Sequence, residues 1–219
     1  MAVNDAAVQS EASTPAFVHV PVVGHVMADV LCPGRTWGQA HFELARHGLR
    51  MLTIREFVQA VRYLRRRRPP YSSVQRLLDL IFGEGHQIGI FLDGRFRREV
   101  EDTYILFEHR PSGQSVTPGR KELLQNCLKR NCHGADLFGA VNAQGLPMDV
   151  CAEGFDYCFP EAREGEDTVA AYVVTKPGVT HFRGLYCGLR LRCAHDRFGT
   201  LARRDEAAQM PEPDTVAAE

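Results

Sequence analysis

"TIREFVQAVRYLRRRR", Thr53–Arg68, is the stretch from which the fold is read. Thr53 and Glu56 have the spacing of a capping box, whose side chains accept hydrogen bonds from the free N–H groups of a helix's first turn. Ile54, Phe57, Val61 and Leu64 then recur at helical spacing and fall on one face. Pro69 and Pro70 stop the helix, because proline has no N–H and its ring clashes with the preceding turn. The run Arg65–Arg68 sits where the helix dipole is negative and reads as a polar end facing water.

Working outward, "YSSVQRLLDLIFG" (71–83) predicts a second helix, capped near Ser72 or Ser73 and ended at Gly83. Upstream, "FVHVPVVGHVMADVL" (17–31) is rich in β-branched residues and suits a strand or two, broken at Pro21 and Gly24. Downstream, "QIGIFLDGRF" (87–96) and "DTYILFEHR" (102–110) read as strands, with a helix around Phe91 as the alternative, and "GRKELLQNCLKRN" (119–131) as a short helix. Past Asn142 the chain turns to glycine, proline and aromatic residues with β-like runs such as "TVAAYVVT" (168–175) and "HFRGLYCGLRLRC" (181–193). Helices early and strands late predict an α+β fold.

The 219 residues are 44% hydrophobic, enough to build a core, and show no repeat and no long linker. A formal net charge of -1 gives no global attraction to nucleic acid or anionic lipid. No apolar run approaches the roughly 20 residues that cross a bilayer. Residues 1–15 are small and polar and read as a disordered lead-in, and residues 205–219 as an acidic disordered tail. A single domain over 16–204 is expected. The amino terminus lacks the basic and apolar regions of a secretory signal, so a cytoplasmic location is the default expectation.

Seven cysteines, an odd number, cannot all pair within one chain, and reduced thiols are expected. Cys32 stands apart, and the other six fall in clusters: Cys127, Cys132 and His133; Cys151 and Cys158; Cys187, Cys193 and His195. Structural zinc sites favour C-x(2–4)-C knuckles. Of the gaps here, C-x4-C-H, C-x6-C and C-x5-C-x-H, only the first approaches that spacing. The competing reading makes these cysteines small buried hydrophobes. Arg190, Arg192, Arg197, Arg203 and Arg204 suggest a basic patch, although no recognised nucleic-acid motif accompanies them. "CAHD" (193–196) puts Cys193 and His195 on one face of a strand and Asp196 on the other, which does not make a nucleophile–base–orienter chain. G-x-S-x-G, P-loop and H-E-x-x-H motifs are absent.

An ordered set of segments carries a family resemblance. "LTIREFVQAVRYL" (52–64) is followed by "FLDGRF" (91–96), "YILFEHR" (104–110), "NAQGLP" (142–147) and "GFDYCFP" (154–160). "VAAY" (169–172), "LYC" (185–187) and "FGTLAR" (198–203) complete the series. Over about 50–204 the chain resembles the variable proteins of diversity-generating retroelements, of the kind encoded in small archaeal genomes.

The resemblance implies a C-type-lectin-like fold, a small twisted antiparallel sheet with flanking helices. It implies a ligand-binding protein without enzymatic activity, and no metal or cofactor is expected. Its gene-level partner is a reverse transcriptase that copies adenines unfaithfully, here into the region encoding about 165–204. The displayed patch would comprise His181, Gly184, Tyr186, Gly188, Leu189, Arg190, Arg192, His195 and Asp196. The ligand would be an unidentified protein or surface. The alternative is a zinc-stabilised intracellular protein that binds protein or nucleic acid. An enzyme on the related formylglycine-generating fold would need a redox-active cysteine pair, which the sequence does not identify.

Overall fold

The computed structural model describes residues 17–27, 31–68, 72–82, 88–152, 154–159, 167–176, 179–186 and 198–205. The chain opens with a hairpin, β1 (Phe17–Val20) and β2 (Gly24–Met27), turning between Pro21 and Gly24 as the sequence predicts. Helix α1 (Trp37–Arg46), strand β3 (Leu49–Met51), and helices α2 (Ile54–Arg67) and α3 (Ser72–Phe82) follow. Two long strands come next, β4 (Ile88–Glu99) and β5 (Asp102–Phe107), then short β6 (Arg110–Ser112), β7 (Ser115–Thr117), β8 (Arg120–Leu123), β9 (Cys132–Ala135) and β10 (Phe155–Tyr157). The last described elements are β11 (Thr168–Lys176), β12 (Val179–Tyr186), β13 (Phe198–Thr200) and β14 (Ala202–Arg204).

An eight-stranded sheet runs β8-β5-β4-β11-β12-β10-β9, with β13 paired to β4. Its pairs are antiparallel apart from β13–β4 and β10–β12. A four-stranded sheet has the order β1-β2-β14-β3, and β6 and β7 form a ribbon. The α+β class is as the sequence predicts, but the main sheet is larger than the small antiparallel one expected and is partly mixed.

Alternation along β4 builds two cores. Ile90, Leu92 and Phe96 point toward α2 and α3, where Phe57, Val61, Leu64, Val74, Leu77 and Ile81 are buried. Phe91 points the other way, toward Trp37, Ala40 and Leu44 of α1, with Met51, Val169, Ala171 and Ala202. The centre of the sheet is therefore covered on both faces, so polar side chains placed there leave water.

Helix α2 has both halves of its capping box, with Glu56 N donating to Thr53 Oγ1 (3.2 Å) and Thr53 N to Glu56 Oε2 (3.0 Å). Glu56 does more than the sequence shows. Its carboxylate also takes Arg50 of β3, at 2.8 and 2.5 Å, and Arg203 of β14, at 3.1 Å. Arg203 is thereby removed from the basic patch suggested by the sequence, since its side chain is only 12% exposed. The run Arg65–Arg68 is exposed at the end of α2, as expected.

Three expectations are corrected. Residues 119–131 form no helix: Gly119 N bonds to Phe107 and Glu108 carbonyls, and β8 pairs with β5, so a sheet edge wins over local helix propensity. Helix α1 has no counterpart among the predicted elements. Asp205, assigned to the tail, belongs to the folded body: it is buried, its N–H donates to Gly48 O, and its carboxylate pairs with Arg110.

Candidate functional site

Of the nine residues expected to form a displayed patch, His181, Gly184 and Tyr186 lie in β12. Gly188, Leu189, Arg190, Arg192, His195 and Asp196 lie outside the described residues. Register sets Gly184 opposite Ala170, Tyr186 opposite Thr168 and His181 opposite Val173 across the β11–β12 pair. On its other side β12 pairs with β10, His181 against Asp156. Thr168, Val169, Ala170 and Ala171 of β11, the strand paired with β12, are fully buried.

The strand beyond the patch is anchored as well. β13 lies parallel to β4, with Thr200 Oγ1 donating to Phe91 O (3.0 Å), and the adjoining Leu201 and Ala202 are buried. Just before β11, Asp167 accepts from Arg95 Nε (2.5 Å) and from Arg97 Nε (2.9 Å) and Nη2 (2.8 Å). The motif "NAQGLP" is a turn in which Asn142 Oδ1 accepts from Gln144 N (3.1 Å) and Leu146 N (2.8 Å), and it packs on the start of α2. Gly145 has φ 89°, and a Cβ there would lie 2.6 Å from the backbone N and Cα of Arg55.

The cysteines do not assemble a site among the described residues. Cys127 and Cys132 pack beside the larger core, Cys151 and Cys158 are exposed, and Cys32 lies by the smaller core. His133, 94% exposed, pairs with Asp156. Cys187, Cys193 and His195 lie outside the described residues.

A different cluster emerges from three separate elements. His41 of α1, Asp93 of β4 and His109, just past β5, are all buried. Asp93 Oδ1 is 2.5 Å from His109 Nδ1, and Asp93 Oδ2 accepts from His109 N at 3.1 Å. His41 Nε2 stands 4.0 Å from Asp93 Oδ1. Trp37 packs edge-on against both imidazoles, at 4.3 and 4.9 Å between centroids, and donates through Nε1 to Leu92 O at 3.0 Å. Burial pulls His41 down to about 4, against the opposing charge of Asp93 and together with His109. His41 is therefore a neutral imidazole at neutral pH.

Local patterning explains the arrangement. Trp37, Ala40, His41 and Leu44 make the buried stripe of α1, and Asp93 follows Phe91 on the face of β4 that α1 covers. Sequence reading missed the cluster, although Asp93 and His109 lie inside two of the segments that carry the family resemblance. The available signal was a polar residue at an apolar position: His41 on a helical stripe and Asp93 closing the run "IGIFLD".

Two cavities border these residues. One, of about 230 Å³, is lined by His41, His109, Arg50, Arg110 and Asp205 among others. The other, of about 360 Å³, reaches Asp93 past Arg55, Glu108, Arg120, Glu122 and Gln144. In the second, Arg120 pairs with Glu108 (3.1 Å) and Gln144 with Glu122 (2.8 Å), so its polar lining is largely satisfied internally. No protein-family model, no curated protein and no solved structure matches this chain.

Proposed function

We propose that this protein is a non-catalytic binder on a C-type-lectin-like fold, which presents His181, Gly184, Tyr186, Gly188, Leu189, Arg190, Arg192, His195 and Asp196 to a protein or surface ligand. The observation that carries this reading is the anchoring of the strands on either side of residues 187–197. β12 and β13 both belong to the eight-stranded sheet, whose centre is buried on two faces. Binding residues held between such strands vary without loss of their support. Tyrosine and arginine are also the side chains that dominate interface hot spots. Closure of the domain by β14 between β2 and β3, with the helices preceding the strands of the main sheet, supports the fold assignment.

Diversification by a reverse transcriptase belongs to the same reading and is tested at the gene. A near-copy of the segment encoding residues 165–204, differing mainly at adenines and lying beside a reverse-transcriptase gene, is the expected finding. A locus with neither overturns the retroelement assignment. Binding itself is tested by randomising the patch codons and selecting displayed protein against cell-surface preparations. Folded variants that never enrich on any target contradict the binding role.

A further inference from the structure

Placing two imidazoles and a carboxylate in a protein interior is costly unless their polar atoms find partners. Asp93 is well supplied, since each of its oxygens faces a donor of His109. His41 Nε2 and His109 Nε2 are not: both are buried and neither has a hydrogen-bond partner in the protein. An ionised carboxylate only accepts, so in a neutral His109 imidazole the proton sits on Nδ1 and leaves a lone pair on Nε2. An imidazole held through Nδ1–H by a carboxylate, with Nε2 bare, is the usual state of a histidine that ligates a metal. One donor atom from each of His41, Asp93 and His109 lies within 4.8 Å of those of the other two.

We propose that His41 and His109, backed by Asp93, bind one divalent transition-metal ion, for which zinc is the probe. Imidazole nitrogen with a nearby carboxylate suits zinc or ferrous iron and is a poor match for calcium or magnesium, which prefer all-oxygen ligands. The 230 Å³ cavity beside the two histidines has room for water to complete the coordination, at about 30 Å³ per molecule. Its cationic lining does not stand against an ion, because Arg50 is paired with Glu56 and Arg110 with Asp205. A small anion in the same place would meet the carboxylate of Asp93. The inference draws on none of residues 181–196 and stands whether or not they bind a ligand.

Zinc titrated into the full-length, metal-stripped protein is expected to bind at one equivalent and to raise the melting temperature. X-ray absorption at the zinc edge is expected to show nitrogen and oxygen at roughly 2.0–2.1 Å and no sulfur. Asp93→Asn should weaken zinc binding roughly 10–100-fold, and His41→Phe should abolish it. His133→Ala, at an exposed histidine, should leave it unchanged. Folded wild-type protein that takes up no more zinc than His41→Phe overturns the proposal. So does a sulfur shell in the wild-type spectrum, a readout that holds even if the variants fail to fold. Stabilisation by inorganic phosphate in place of zinc would mark an anion site and overturn it too.

Discussion

The carboxylate of Asp167 and the guanidinium of Arg97 meet side-on, Nε to Oδ1 at 2.9 Å and Nη2 to Oδ2 at 2.8 Å, with Arg95 on the same carboxylate. This clamp fixes the residue just before β11. Burial pushes the Asp167 carboxyl up, but the hydrogen bonds from Arg97 and Arg95 outweigh it and hold the group below the usual carboxylate range. Its contribution is therefore present above the unfolded value near about 4 and is lost as pH falls through the lower folded value. Asp167→Asn should cost about 2 kcal/mol at pH 7. In thermal melts the gap between wild type and variant should close below about pH 4. A gap that persists undiminished at pH 3 contradicts the assignment.

Gly145 is held at φ 89° with its Cα against the Arg55 backbone, and backbone cannot swing aside as a side chain can. Gly145→Ala should destabilise by about 3 kcal/mol, combining strain with displacement of the start of α2. Gly113 supplies the control. It has φ 59° with nothing near its Cβ position, so Gly113→Ala should cost only about 1 kcal/mol. Equal losses in urea unfolding would refute the close-approach argument.

Glu56 joins β3, β14 and the first turn of α2 through one carboxylate whose side chain is 14% exposed. Removing it takes from Arg50 and Arg203 the carboxylate they share, at a cost of about 3 kcal/mol for Glu56→Ala. Pairing Glu56→Ala with Arg203→Met should recover part of that loss, because one of the two guanidiniums that shared Glu56 is gone. Strictly additive effects of the two changes in denaturant melts would show that the pair is uncoupled.

Thiol chemistry should follow burial. Desolvation pushes the Cys32, Cys127 and Cys132 thiols up, whereas Cys151 and Cys158 are exposed. Thiolate is the reactive form. Alkylation of native protein at neutral pH, followed by peptide mass mapping, should modify Cys151 and Cys158 well before Cys32 and Cys127. Labelling of Cys127 first would mean that the face beside the larger core opens readily.

The display reading makes its own demand on stability. Arg190→Ser and Arg192→Ser should change the unfolding free energy by no more than about 0.5 kcal/mol. Leu201→Ala, a few residues on and fully buried, should cost about 2–5 kcal/mol. Large losses from the arginine changes would show that they belong to the supporting structure.

Much of the scaffold was legible because its signals are local. Thr53, Glu56 and the apolar stripe of α2 specify that helix almost alone, and Pro21 with Gly24 marks the turn between β1 and β2. Helix α1 was not legible, although Thr36 and Gln39 form a second capping box, because its buried stripe includes His41 and reads as polar. Residues 119–131 were misread because Leu123 and Leu124 suit either a helix or an edge strand, and pairing with β5 decides. The His41–Asp93–His109 cluster could not be read from spacing. Its members come from a helix, a strand and a post-strand turn, and only the α1–β4 packing brings them together.

β14 lies between β2 and β3, pairing Arg203 with Val26 on one side and with Arg50 on the other. During translation the opening hairpin and β3 therefore emerge from the ribosome long before the strand that joins them. Until then the nascent chain offers unpaired ladder edges to any neighbour, a standing invitation to mispairing. Completion waits on a contact distant in sequence, which makes the final closure slow and places a holdase chaperone where it would do most good.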